Sequence, residues 1–465
     1  MSYLELADSP EVVEPKDGAR WHVLLATWLG ELFDGMDASL YALVMFPALS
    51  ELLKTDSHSS VGVVGSIVLA AFMIGWAVGS VIFGILSDRI GRAKTMMITI
   101  LLYALFTGLC GLAQNWQELA FYRFLVGCGI GGEISIGAVM LSEDWKGKSR
   151  VHAVGALSTS FGFGYLLAAL LNLSLGQCGW RWLFFAGAAP ALVTLYMRAK
   201  LKEPDQFLQI QTLRRQLKNI DAGVLSKKER ALLSPSLWQL FSAENRAKVF
   251  CVVGLASAGI IGYWAVLSWI PPWINQMVGT NAINERSAVA ISMNIGAIIA
   301  AGSGGFVIGK LGRVGCFRVA FAGSFLCCIG MFMTVKTVSV ALLTWVFFLG
   351  AFATLPFYTL FVYVPELFDS HIRGTAFGFS VQAGRIFAAC AALLGGQIIG
   401  AFSGSYATAA CTVACVYIIG FVCTWFMPRT TEKVESMENA ANKLSVTLAN
   451  LSNVELVEVL QSAQR

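Results

Sequence analysis

Apolar residues in this 465-residue chain are gathered into runs of about twenty, and no other feature restricts its fold so sharply. A helix rises about 1.5 Å per residue, so a run of that length matches a hydrocarbon core about 30 Å thick. Twelve such runs are read at 22–47, 61–86, 94–113, 117–141, 151–175, 181–199, 248–270, 286–308, 315–335, 338–363, 374–400 and 404–427. The composition agrees, with 56% hydrophobic and 13% charged residues, against roughly 45–50% and about 25% in soluble domains.

The expected fold is an all-α membrane protein with twelve transmembrane helices in two pseudo-symmetric six-helix bundles. The expected parts are an N-terminal segment 1–21, a first bundle 22–199, a linker 200–247, a second bundle 248–427 and a tail 428–465. The opening segment carries Glu5, Asp8, Glu11, Glu14 and Asp17 and no secretory-type apolar stretch, so no signal peptide is expected. Basic residues set the orientation. The even-numbered connections hold Arg89, Arg92 and Lys94; Lys146, Lys148 and Arg150; eleven more from Arg198 to Lys248; Lys310, Arg313 and Arg318; and Arg373. The odd-numbered ones hold Lys54, Arg181, Arg286 and Lys336. Both termini and the linker are therefore expected in the cytoplasm, with the chain in the plasma (inner) membrane as a monomer. The formal charge of +5 follows from this asymmetry and calls for no nucleic-acid partner.

Eleven cysteines sit mostly inside apolar runs, where cysteine behaves as a small hydrophobe, and no CxxC pair occurs. Free thiols are expected, with no metal and no cofactor. Gly304 to Leu311 approaches a P-loop spelling but lacks the final hydroxyl and follows a membrane helix, so nucleotide binding is not expected.

One segment occurs twice. Gly84-Ile-Leu-Ser-Asp88-Arg89-Ile-Gly91-Arg92 follows the second run, and Gly305-Phe-Val-Ile-Gly309-Lys310-Leu-Gly312-Arg313 follows the eighth. Gly91 and Gly312 allow a sharp turn, and Asp88 can accept bonds from helix-terminal amides or a basic side chain across the two halves. This GxxxDRxGR pattern, with its second copy, resembles the signature of the major facilitator superfamily. The resemblance implies a secondary transporter rather than an enzyme, working by alternating access about a midplane site.

Ionisable groups at membrane depth cost at least about 2.5–3.5 kcal/mol and are functional candidates by default. Glu31, Asp34 and Asp37, on the first run, are spaced three apart and predict one wet helix face with a proton site. Asp34 falls roughly 16–18 Å along its helix, near the bilayer centre. Arg385, about ten residues into the eleventh run, reaches a similar depth, and its planar fork suits a substrate carboxylate or a structural acid. Arg123 and Glu133 flank a glycine-rich face that is similar to the fourth-helix motif of the superfamily, where the arginine is tied to proton coupling. Glu143 with Arg150, echoed by Glu366 with Arg373, reads as gate salt bridges, the second in a PExxxxxxRG form similar to sugar and organic-ion porters. Asp34-Gly35-Met36-Asp37 is similar to the DGxD of aromatic-acid and sialic-acid proton symporters, and Gly384-Arg385-Ile386 looks like a segment of those symporters and of organic-ion transporters. Phe387, where glycine is expected, and the extra acid Glu31 depart from that pattern.

Tyr263, Trp264, Tyr358, Asn172, Asn294 and Gln382 complete the expected substrate lining. The gating set is Asp88, Arg89, Arg92, Glu143, Arg150, Lys310, Arg313, Glu366 and Arg373. The expected activity is proton-coupled symport of a small organic anion. A neutral sugar or polyol porter and a non-transporting membrane sensor are the competing readings.

Overall fold

The computed structural model describes residues 17–55, 58–145, 147–188, 203, 205–217, 232–234, 236–278, 283–403 and 405–428. Most of the expected N-terminal segment, the linker residues 200–202, 204, 218–231 and 235, and the tail from 429 onward lie outside the described residues. The described chain through Met427 forms one compact unit.

Its elements are helices, with no strand among the described residues. They are α1 (Asp17–Leu53), α2 (His58–Ile90), α3 (Arg92–Cys110), α4 (Trp116–Asp144), α5 (Gly147–Leu175) and α6 (Trp180–Ala188). Two short helices follow, α7 (Asp205–Leu217) and α8 (Ser236–Leu240). Then come α9 (Arg246–Ile261), a π-helical turn (Gly262–Val266), α10 (Leu267–Val278), α11 (Ile283–Thr334) and α12 (Val340–Leu367). The last are α13 (Arg373–Gln382), α14 (Gly384–Ala401), α15 (Tyr406–Ala414) and α16 (Val416–Cys423).

Nine helices among the described residues are long and apolar enough to cross a membrane. Twelve runs were expected, and three of them are not separate long helices among the described residues. α11 carries two of them, joined at Gly312, whose φ of 68° and ψ of 176° are not helical. The sixth run is described only over its first turns in α6, and the eleventh is divided between α13 and α14. Large apolar side chains on the outer surface, among them Leu101, Leu105, Phe121, Phe306 and Ile419, are more than half exposed. Such a surface is stable against lipid and a liability in water. The protein is a multi-pass integral membrane protein.

Both copies of the repeated segment turn where expected. Gly91 has a φ of 118° and Gly312 one of 68°, a region that glycine enters without the steric cost of a Cβ. α2 packs closely on α4, and a Cβ added to Gly131 would stand 2.1 Å from the Trp76 carbonyl oxygen, so only glycine allows this approach. α4 begins with reciprocal capping: the Asn115 side chain accepts from Glu118 N at 2.8 Å and Glu118 Oε2 accepts from Gln114 N at 2.9 Å.

One apolar core lies between Val23 and Phe184, and a second is built mainly from residues 240–427. A third cluster joins α5 to α11 and α12 through Val151, Val154, Leu157, Ala300, Leu355 and Tyr358. All eleven cysteines are free thiols.

Candidate functional site

A cavity of about 940 Å³, counting its open mouth, lies between the two cores. α1, α2, α4 and α5 supply Glu31, Trp76, Ile134, Ser158, Phe161 and Tyr165, and the later helices supply Tyr263, Trp264, Asn294, Tyr358, Gln382 and Arg385. The π-helical turn presents Tyr263 and Trp264 side by side, as an extra residue in one helical turn allows. Tyr263 meets Phe357 edge to face, with ring centroids 5.4 Å apart.

Arg385 is buried in this wall. Its Nε donates to Gln382 Oε1 at 2.6 Å, a partner one helical turn earlier, across the α13–α14 break. Its guanidinium carbon lies 3.4 Å from the centre of the Trp76 ring, a side chain of α2. Nη1 has no hydrogen-bond partner, and no carboxylate among the described residues is within ion-pair distance. The structural alternative, a buried pair with an acid, therefore finds no support in the described residues.

The three acids of α1 do not share one wet face. Steps of three residues turn the helix back by about 60° each, so the carboxylates fan over about 120°. Glu31 lines the cavity, and Ser160 Oγ donates to its Oε2 at 3.3 Å. Asp34 is fully buried and is not among the residues that line the cavity. Asp37 faces away into the first core, where it takes Arg123 Nη1 at 2.7 Å and Thr107 Oγ1 at 2.8 Å. Arg123 also lies 4.3 Å from the Phe72 ring centre. Glu133 is buried on α4, where its neighbour Ile134, not Glu133, reaches the cavity.

Asn294, Tyr358, Tyr263, Trp264 and Gln382 are brought together in the lining, but Asn172 is not; it stands near Gly176 at the end of α5. Tyr358 has a second contact, because its hydroxyl donates to the Val151 carbonyl of α5 at 2.8 Å. Trp76, Phe161, Tyr165 and Phe357 were not foreseen, since aromatics inside apolar runs look like lipid-facing residues.

At the end of the molecule where the even-numbered connections lie, polar contacts cross between the cores. Asp88 accepts from Gly374 N at 3.2 Å, Thr375 N at 2.9 Å and Thr375 Oγ1 at 2.7 Å, capping the first turn of α13. Arg92 reaches Glu143 at 3.1 Å and the Ser370 carbonyl at 2.9 Å. Glu143 also faces Arg373, at 3.6 Å. Glu366 is bound by Arg313, at 2.8 Å, and by Arg150. Glu143 and Glu366 are thus each shared between an arginine of their own core's repeated segment and one from the opposite half, while Asp88 pairs, among the described residues, only with Arg92 of its own half, at 3.4 Å. Arg89 and Lys310 stay outside this network: both are exposed, and Lys310 lies 4.4 Å from the Phe306 ring centre. In the second copy of the turn, a Cβ at Gly309 would meet nothing within 4 Å, so the asymmetry with Asp88 is structural.

Residues between the halves add partners that sequence spacing did not reveal. Glu203 accepts from the amides of Arg92 at 2.7 Å and Ala93 at 3.2 Å, neutralising the start of α3. Arg214 donates to the Asp88 carbonyl at 2.6 Å and to the His371 carbonyl at 3.3 Å. Burial lowers the Arg214 pKa, with Asp88 opposing the shift.

The comparisons with known proteins agree with this architecture. The chain is 28% identical over 408 residues to a Haemophilus influenzae protein named for metabolite transport, covering 88% of this chain and 95% of that one. It is 26% identical to the cis,cis-muconate transport protein of Acinetobacter baylyi, covering 80% and 86%. The structure of the proton:xylose symporter XylE matches with a TM-score of 0.69 at 19% identity, covering 89% of this chain and 97% of that chain, which is a likeness of fold. The Major Facilitator Superfamily profile matches residues 27–389, and the chain belongs to that superfamily of transporters, which are not enzymes.

Proposed function

We propose that this transporter is a proton-coupled symporter of a small organic anion, a carboxylate, working by alternating access. In this reading twelve spans form two six-helix halves, 22–199 and 248–427, with both termini cytoplasmic in the plasma membrane and the protein acting as a monomer. The observation that carries the reading is Arg385: a buried guanidinium in the cavity wall, fixed through Nε and free of acidic partners among the described residues. A buried charge without a counter-ion is strongly unfavourable, and a bound carboxylate supplies the counter-ion. The named substrate of the Acinetobacter relative is a carboxylate as well.

Glu31, in the lining, and the buried Asp34 one helical turn on are the proton carriers in this scheme, whereas Asp37 is committed to Arg123. In this scheme the contacts of Asp88, Glu143 and Glu366 are the gate at the cytoplasmic end.

Reconstituted protein tests the proposal. Uptake of benzoate, cis,cis-muconate, xylose and choline is measured with and without an inward proton gradient. Carboxylate accumulation that needs the gradient and disappears in Arg385→Ala is the expected result. Gradient-driven xylose uptake that survives Arg385→Ala refutes the anion reading.

A further inference from the structure

Arg385 is held from two directions, and the two holders come from different halves of the chain. Gln382 takes the Nε edge. Trp76, on α2, lies beneath the guanidinium plane at 3.4 Å. The indole itself has no room to swing. It is fully buried, meets Phe72 edge to face at 5.5 Å and lies 6.2 Å from Phe161. Its Cδ1 edge is 2.8 Å from where a Cβ on Gly131 would stand.

An aromatic face attracts a cation through its quadrupole yet accepts none of the in-plane N–H bonds. An aspartate or glutamate in its place would hold Arg385 as well, but would occupy the same donors that a carboxylate ligand needs. Gln382 uses one edge and Trp76 the face, which leaves the buried Nη1 of this cavity-lining residue without a partner.

We propose that Trp76 is the positioning residue of the anion site: its face holds Arg385 charged, oriented and uncompensated, so that a single carboxylate completes the site. The inference rests on the anion reading above. It also makes the site a product of both halves, since Trp76 precedes residues 200–247 and Arg385 follows them. Affinity then depends on α2 and α14 remaining together.

The test is binding of two carboxylates, benzoate and cyclohexanecarboxylate, to purified full-length protein, measured as ligand-induced thermal stabilisation. Trp76→Phe keeps an aromatic face and is expected to bind both within about threefold of native. Trp76→Leu loses the face and is expected to weaken both probes equally, on the order of tenfold. Trp76→Met provides the same comparison if the leucine variant does not fold. A loss confined to benzoate overturns the proposal, because Trp76 would then be touching the ligand's ring rather than acting through Arg385. Equal affinities in the Phe and Leu variants overturn it too. Arg385→Ala separates the two levels of the argument. If that variant binds both carboxylates like native protein, the anion reading itself fails. Native binding by Trp76→Leu beside a non-binding Arg385→Ala removes the positioning role alone.

Discussion

Asp88→Asn should open the end of the molecule that carries the basic connections. The carboxylate accepts three hydrogen bonds from Gly374 and Thr375, and no carboxamide can accept them on both of its atoms. At least one charge-assisted bond is lost, worth about 1.5–3 kcal/mol, and the amide nitrogen is left facing other donors. Arg92 remains paired to Glu143, so that contact survives the change. The closed-to-open ratio should therefore fall by roughly 10- to 150-fold, at about 1.4 kcal/mol per factor of ten. Val154, fully buried in the cluster joining α5 to α11 and α12, is a suitable reporter position. Val154→Cys would be labelled with a membrane-impermeant maleimide in inverted vesicles, after replacing the exposed Cys178, Cys390 and Cys415. Gly374→Ala supplies an uncharged comparison, since its Cβ would stand 2.6 Å from Ser87 Oγ and 2.9 Å from Asp88 Oδ1. Labelling rates unchanged in both variants would refute the idea that this contact holds the halves together.

Two further outcomes are expected. Asp37→Asn leaves Arg123 buried without its ion partner and should cost about 3–5 kcal/mol of stability, seen as a lower melting temperature in detergent. Asp37→Asn combined with Arg123→Leu should recover most of that loss, and a native-like melt of the single variant would contradict the assignment. His371 gives a pH dependence: burial lowers its pKa from the ordinary value, Asp369 opposes the shift, and Arg214 and Arg373 add to it. Its Nε2 lies 2.9 Å from Gln239 Oε1, a contact that the neutral ring can make. The lowered value means that the closed arrangement binds fewer protons than an open one, so its stability is complete above about pH 6.5 and declines as pH falls below that. Val154→Cys labelling, normalised to unfolded protein, should rise on acidifying the basic-end side, and His371→Gln should flatten the profile.

Local rules made some of this legible in advance. A turn between two helices needs positive φ, and both copies of the repeat put glycine there, at Gly91 and Gly312. Gln382 and Arg385 are three residues apart, near neighbours on a helical surface. The gate acids Glu143 and Glu366 were visible because charged residues near helix ends are few. Their partners were less so: within-loop pairing was expected, whereas Glu143 meets Arg92 and Arg373, and Glu366 meets Arg150 and Arg313. Contacts over such separations depend on how helices pack, which no spacing encodes. Trp76 was hidden for a different reason. An aromatic in an apolar run has the same appearance whether it faces lipid, core or cavity, and only the approach of Arg385 distinguishes the last.

The sharing of Glu143 and Glu366 between halves also determines what an opened mouth would look like to a solute. When the halves part at that end, Glu143 stays with Arg92 and Glu366 with Arg313, because each of these pairs belongs to one half. Arg373 and Arg150 are then left on opposite walls without their acids. Opening also strips Asp88 of its Gly374 and Thr375 donors and leaves it, among the described residues, only Arg92, at 3.4 Å, so two arginines and one carboxylate are uncovered. The vestibule gains net positive charge and becomes a weak lens for anions, with a reach of about 8 Å at physiological ionic strength. Capture of an anion from that side should accelerate as salt is lowered, while capture from the other side should show less sensitivity.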